Sequence, residues 1–319
     1  ALPICRMTAH PLELTRSGAA TNTQSIILSV LIPFYGDDPR PLLASLAAQA
    51  QPGIEIILFD DGAPDAALSA AVTQAVIVAD AAVTLITSPV NQGRSRARNA
   101  LANAASGDWL LFLDADMEIS PGFLSRWRAS LKETDCDALF GGYAPCEPRS
   151  RHERVHAALA HASDAVDAQT RSAQGAFAVC SSNLAVRASL FARCPFDEGY
   201  AGWGWEDVDW ALSAASLGQV GHVDVPAAHG GLQSADELLS KFARAGTNFA
   251  RLLTRHPAYE SRPGARLARK LQATRLSLPA RLIGRSVARW DWAPMKARIL
   301  ALKLFRAGAA ARDLPRGRA

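Results

Sequence analysis

The feature that most constrains this chain is an alternation between short runs apolar on both faces and longer stretches rich in alanine and leucine. Residues 26–33 read IILSVLIP, and residues 54–59, 83–86 and 109–113 repeat the pattern. A strand covered on both faces needs such unbroken apolar character, the condition of a parallel sheet flanked by helices. Between the runs, residues 41–50, 65–80 and 95–105 read as helices. That order calls for right-handed crossovers with helices on both sheet faces. The first half is expected to be an α/β layer structure, a Rossmann-like mostly parallel sheet of the nucleotide-binding kind.

Past residue 138 the regularity loosens. Residues 138–143 and 220–225 read as strands, and residues 153–168 as a helix. A segment rich in glycine and tryptophan at 199–210 leads into a further helix ending near residue 217. Beyond residue 263 come helices rich in arginine and leucine, which Pro279 and Pro294 are expected to interrupt. The expected organisation is a lead-in over 1–25 and a catalytic-type domain over 26–235. Within it a nucleotide-binding-type half would cover about 26–120 and a less regular half about 138–235. A basic helical extension would follow over 236–319.

Charge divides along the same line. Of 34 Lys and Arg against 30 Asp and Glu, residues 261–319 hold 15 basic and 2 acidic, and residues 1–260 hold 19 and 28. The segments therefore carry +13 and −9, an acidic body with a basic tail. Such a body argues against a nucleic-acid partner, whereas the tail suits an anionic one. Leu267, Leu271, Thr274, Leu278 and Leu282 step by three and four, as on one helical face. Arg281, Arg285 and Arg289 form a like-charge row that an anionic surface would relieve. Two readings stand for residues 262–319: an in-plane helix on an anionic membrane surface, or a helical cap on the body. No run of about 18 apolar residues is present to suggest a spanning helix. The first eleven residues lack the layout of a signal peptide. The five scattered cysteines include no Cys-x-x-Cys pair, which fits a reducing cytoplasm, with the chain peripheral on the inner membrane face if the tail binds lipid.

In open α/β sheets ligands bind beyond the carboxyl ends of the strands. Here those ends read Pro33-Phe34-Tyr35-Gly36, Asp60-Asp61-Gly62 and Asp114-Ala115-Asp116. Converging carboxylates suit a cation or a donor-rich ligand, and Asp114 and Asp116 are hard ligands for Mg2+ or Mn2+ beside a diphosphate. The plainer reading of Asp-Asp-Gly is a turn. Asn91-Gln92-Gly93-Arg94 opens a helix, so its amides and Arg94, Arg96 or Arg98 could hold an anion; the alternative is a solvated basic helix start. No Walker loop is present. In Gly202-Trp203-Gly204-Trp205-Glu206-Asp207 the indoles offer flat faces to a sugar, and Asp207 could serve as general base. The alternative there is a helix start with core tryptophans. His229 stands alone before two glycines.

In order, these residues resemble the family 2 glycosyltransferases of GT-A fold. The likeness covers about residues 26–232 and rests on SVLIPFYG, EIILFDDG, NQGRSRARNALANAASGDWLLFLDAD and GWGWEDVDW. The last segment is similar to one in β-1,4-galactosyltransferases. The resemblance implies an inverting, metal-dependent transferase moving one sugar from a nucleotide-sugar, with UDP-sugars mildly preferred. The acceptor would be a carbohydrate or lipid-linked hydroxyl, as in cell-surface polysaccharide or glycolipid synthesis. Pro33, Tyr35, Asp60, Asp61, Asn91, Gly93, Arg94, Arg98 and Asp114 would then bind the nucleotide-sugar. Asp116 and His229 would hold Mn2+ or Mg2+, Trp203, Trp205 and Glu206 would bind the acceptor, and Asp207 would deprotonate it. The Gln-x-x-Arg-Trp motif of processive synthases is absent: Arg289-Trp290 follows RSVA. Two rivals remain: a sugar nucleotidyltransferase, which would need a glycine-rich loop after the first strand, and a binding module without chemistry.

Overall fold

The computed structural model describes residues 12–21 and 25–315; the reading of residues 1–11 as free of a signal lies outside them. The chain forms two compact units, residues 1–139 with 181–195, and residues 140–180 with 196–319. The first unit opens with β1 (Glu13–Arg16), β2 (Leu28–Phe34), α1 (Arg40–Ala47), β3 (Ile54–Asp60), α2 (Ala66–Ile77) and β4 (Val83–Thr87). It continues through α3 (Arg94–Ala104), β5 (Trp109–Leu113), β6 (Met117–Glu118), α4 (Phe123–Glu133) and β7 (Ala138–Phe140). The chain then passes into the second unit as β8 (Tyr143–Ala144), α5 (Arg154–Ser163) and α6 (Ala168–Ser172), and returns for β9 (Asn183–Arg187) and α7 (Ala188–Arg193). The rest belongs to the second unit: α8 (Glu206–Ala214), β10 (Val220–His222), β11 (Ala227–His229), α9 (Ala235–Arg244), α10 (Gly246–Arg255), α11 (Pro263–Ala273), α12 (Ser277–Arg289) and α13 (Met295–Asp313).

In the first unit the strand order is β1-β4-β3-β2-β5-β9. The pairs β2–β3, β2–β5 and β3–β4 are parallel, whereas β1–β4 and β5–β9 are antiparallel. The four strands expected from the apolar runs lie within two residues of their expected ends. Their residues explain it: Leu28, Leu31, Ile32, Leu58, Phe59, Leu111, Phe112 and Leu113 are wholly buried, so both strand faces are core. Two strands had no such signal. β1 reads ELTR, and its polar character suits an edge, while β9 reaches β5 from far along the chain.

The second unit is built around α13, which packs on α5, α9, α10, α11 and α12. Small residues set the closest approach. A Cβ on Gly284 would lie 2.7 Å from the Ala301 carbonyl oxygen, and one on Gly308 3.0 Å from Arg281 Cγ. Pro279 does not interrupt a helix: it sits in the first turn of α12, where its missing N–H has no helical partner to lose. The true break is at 274–276, with Arg275 at φ +59°. The leucines at 267–282 therefore do not share one helical face. Leu271 lies in the core and Leu267 packs against it, while Leu278 and Leu282 are exposed. The helix expected over 153–168 is likewise two pieces, α5 ending at Ser163 and α6 starting after the Asp167 cap. No helix among the described residues is long and apolar enough to cross a membrane.

Candidate active site

The parallel strands β2, β3 and β5 deliver the expected residues to their carboxyl ends. Phe34 pairs with Asp60 in register, which puts Tyr35 and Asp61 just past level ends. Tyr35 is 46 % exposed and Pro33 half-buried. The two acids of Asp-Asp-Gly are buried and occupied locally. Asp60 accepts from the Ala63 amide at 2.8 Å and the Ser69 hydroxyl at 2.5 Å. Asp61 accepts from the Gln92 and Gly93 amides at 2.6 and 3.0 Å. The loop amides expected to meet an external anion thus meet an internal one, because a buried carboxylate needs donors and the start of α3 supplies them. Burial pushes the Asp61 carboxyl up, those two amides pull it down, and Asp60 adds to the rise. Gly62 completes the turn at φ +68°, and a Cβ there would lie 2.6 Å from the Val90 carbonyl carbon. Only glycine allows the two loops to touch in this way.

The basic start of α3 divides in two. Arg98 is 1 % exposed and donates to Asp114 Oδ1 at 2.7 Å, so it is not a solvated helix residue and its charge is spent inside the unit. Asn91, Arg94 and Arg96 remain exposed. Asp114 and Asp116 do not share a side through strand alternation: β5 ends at Leu113, and the Met117 amide donates back to the Asp114 carbonyl at 3.2 Å, closing a turn. Asp116 is half-buried in that turn.

The second unit holds the other expected residues. The Gly202–Trp205 loop turns through left-handed conformations, φ +73° at Gly202, +92° at Gly204 and +78° at Trp205. For tryptophan this is strained, by about 1–3 kcal/mol. Asn248 on α10 secures the loop, donating to the Ala201 and Gly204 carbonyls at 2.9 and 3.0 Å. Trp205 packs on Phe249 with ring centroids 4.8 Å apart, and the Arg306 guanidinium lies 4.3 Å from its ring centre. Trp203 packs on Phe242 at 5.9 Å. Both indoles are half-buried against helices of their own unit, much as core tryptophans would be.

The first turn of α8 sorts its three acids. Glu206 is 3 % exposed. Asp209 is buried and accepts from Arg255 Nε at 2.7 Å, with His256 Nε2 3.0 Å away. Asp207 alone is half-buried, with the Val208 amide donating to its Oδ1 at 2.8 Å. A helix start favours its ionised form. Arg306 on α13 is the group that reading by motif missed. Burial lowers its pKa, opposed by the charges of Tyr259, Asp164 and Asp207, and its Nε is buried with no hydrogen-bond partner.

His229 closes β11, which runs parallel to β8. Its ring centre lies 6.3 Å from those of Tyr143 and His156. His156 was also missed. Its Nδ1 accepts from the Gln233 amide at 2.8 Å, and burial, then the neighbouring His229, hold its pKa down at about 4. Among the described residues no group of three or more His, Cys, Asp or Glu is arranged to hold a metal ion. The half-buried carboxylate of Asp116 and imidazole of His229 are nonetheless donors of the type that Mn2+ and Mg2+ accept.

Residues 29–192 match the family described as glycosyl transferase family 2. An uncharacterized glycosyltransferase of Haemophilus influenzae is 30% identical over 123 residues, 38% of this chain and 48% of that protein. An N-acetylglucosaminyltransferase of Bradyrhizobium elkanii is 27% identical over 118 residues, 36% of this chain and 64% of that one. The chain spans 48% and 32% of the length of two curated relatives it matches. Among solved structures, the mannosyltransferase PcManGT from Pyrobaculum calidifontis, in complex with GDP-Man and Mn2+, has TM-score 0.55 at 16% identity, over 91% of this chain and 88% of that one. S. aureus TarS 1-349 in complex with UDP has TM-score 0.50 at 15% identity, over 90% and 89%. These likenesses show the fold, of GT-A type.

Proposed function

The chain belongs to glycosyl transferase family 2, and on that premise we propose that it moves one sugar from a nucleotide-sugar donor to a hydroxyl of a glycan or lipid-linked acceptor, with inversion. The observation that carries this is the first turn of α8, where Glu206 is buried, Asp209 is bridged and Asp207 stays half-buried. A carboxylate so placed can take the acceptor proton at one of its oxygens while the hydroxyl oxygen attacks the anomeric carbon and the nucleoside diphosphate leaves. Trp203, Trp205 and Glu206 would bind the acceptor.

On the donor side, Tyr35 and Pro33 would meet the base, and the exposed Asn91 and Arg94 the diphosphate. Asp60, Asp61, Gly93, Arg98 and Asp114 would serve by holding the strand-end loops in shape. Asp116 would be a ligand of a divalent cation, Mn2+ or Mg2+, which when bound neutralises charge on the leaving diphosphate, and His229 is a donor of a kind such a cation accepts. The Mn2+ and GDP-Man in PcManGT, and the UDP in TarS, support this reading by likeness of fold. UDP-sugars are the first donors to try. We place the reaction in polysaccharide or glycolipid synthesis, at the cytoplasmic side of a membrane.

The test is a donor screen. Purified chain is incubated with Mn2+ or Mg2+ and each common UDP-, GDP- and dTDP-sugar, and nucleoside diphosphate release is followed with and without EDTA. Release from one donor, abolished by EDTA, is expected. Pyrophosphate release from a nucleoside triphosphate would instead support a nucleotidyltransferase, and no release together with no nucleotide binding by calorimetry would support a module without chemistry.

A further inference from the structure

The basic tail divides into a packed part and an exposed part, and the exposed part has a defined shape. α11 faces the core with Ala265, Ala268 and Leu271. α12 instead presents Leu282 and Ile283, 59 % and 57 % exposed, followed by Trp290 at 59 % and Trp292 at 90 %. Large apolar side chains so exposed and so close in sequence are not ordinary surface. Beside them lies a groove of about 290 Å³, with Leu278, Leu282 and Phe305 among its apolar lining and Arg281, Arg285 and Arg289 along it.

The three arginines differ. Arg289 is bridged to Asp236 on α9. Arg281 lays its stem across Gly308 and keeps a buried Nε with no hydrogen-bond partner. Arg285 is exposed, as are Arg275 just before α12 and Lys296 at the start of α13. The acids close by are engaged, Asp236 with Arg289 and Asp291 with Arg298 at 3.1 Å. The patch therefore offers uncompensated positive charge around an apolar strip.

We propose that this face docks on an anionic lipid bilayer, with a phosphate headgroup in the groove at Arg281 and Arg285, and with Leu282, Ile283, Trp290 and Trp292 entering the headgroup boundary. Exposed tryptophans beside cations suit that boundary, where one end of the side chain is apolar and the other wet. A second copy docked on the same face would set arginine against arginine. Leucine and isoleucine offer nothing to a sugar–phosphate backbone, so nucleic acid fits less well. The proposal deepens the lipid-linked reading of the acceptor, and its test does not need the donor chemistry.

The full chain is floated with vesicles of phosphatidylcholine alone and of phosphatidylcholine mixed with phosphatidylglycerol. Binding to the mixed vesicles only, released by salt, is expected. Arg285→Gln should weaken partitioning by about fivefold, the loss of one charge at an anionic surface. Trp292→Ser should weaken it too, with little dependence on salt. Both side chains are exposed, so folding is spared. No flotation, equal flotation with neutral vesicles, or a dimer that these variants dissociate in place of vesicle binding would each overturn the proposal. Nucleoside diphosphate release is measured on the same preparations without vesicles. Release without flotation removes the docking face and leaves the transferase; flotation without release does the reverse.

Discussion

The acidic residues of the two units are alike in sequence and unlike in use. In the first unit, Asp60, Asp61 and Asp114 end parallel strands, and each is bound by donors of its own unit: an amide and a serine, two amides, and Arg98. In the second unit, three acids share one helical turn; Glu206 is buried and Asp209 is bridged, and Asp207 stays half-buried, the one we propose as the base. Carboxylates at strand ends attract notice as ligands, but a buried one first has to be solvated by protein. Around the strand ends acids build loops, and at α8 one half-buried acid stands among two that are buried.

If that contrast holds, variants in the first unit should cost stability and variants around Asp207 should cost turnover. The largest stability effect belongs to Arg98→Met, which leaves Asp114 without its buried partner; about 3 kcal/mol of unfolding free energy should be lost in urea melts. Gly62→Ala should follow at about 2 kcal/mol, from the left-handed backbone and the approach of Val90, read by the same melts. Around Asp207 the readout changes. Arg306→Gln should lower kcat about tenfold, roughly one weakened charge interaction, with melting and donor KM little altered. Arg306→Lys should recover part of it. A stability loss as large as that of Arg98→Met would put Arg306 among the building residues and blur the contrast.

The smallest effect is at the start of α9, where the Ser234 hydroxyl accepts from the Glu237 amide and Glu237 accepts from the Ser234 amide. Ser234→Ala should cost about 1 kcal/mol. The Ser234 amide and hydroxyl, both donating to the Glu237 carboxylate, hold it below its ordinary range. Its share of stability is therefore present above that range and lost as pH falls through the lowered folded value. The penalty of Ser234→Ala should shrink in melts run at acid pH.

Parallel strands and their helices were legible because burial on both faces writes itself into consecutive residues. The β1 and β9 pairings were not, since a polar edge and a long-range antiparallel partner leave no local period. The motifs do not say which carboxylate a segment spends on itself: Asp61 reads as a ligand for the donor and the Gly93 turn as a seat for an external anion, until the structure shows them bonded to each other. Arg306 and His156 carried no local signal, because α13 and α5 reach Asp207 and His229 only through folding. In the tail, leucine spacing described α11 and α12 equally well. Only the break at Arg275 separates the packed helix from the exposed one.

The most direct test of the central claim is Asp207→Asn, assayed for sugar transfer to acceptor and, by calorimetry, for nucleotide binding. The account predicts turnover reduced by at least about a hundredfold, as for loss of a general base, with nucleotide affinity little changed. Near-normal turnover in the asparagine variant would contradict it.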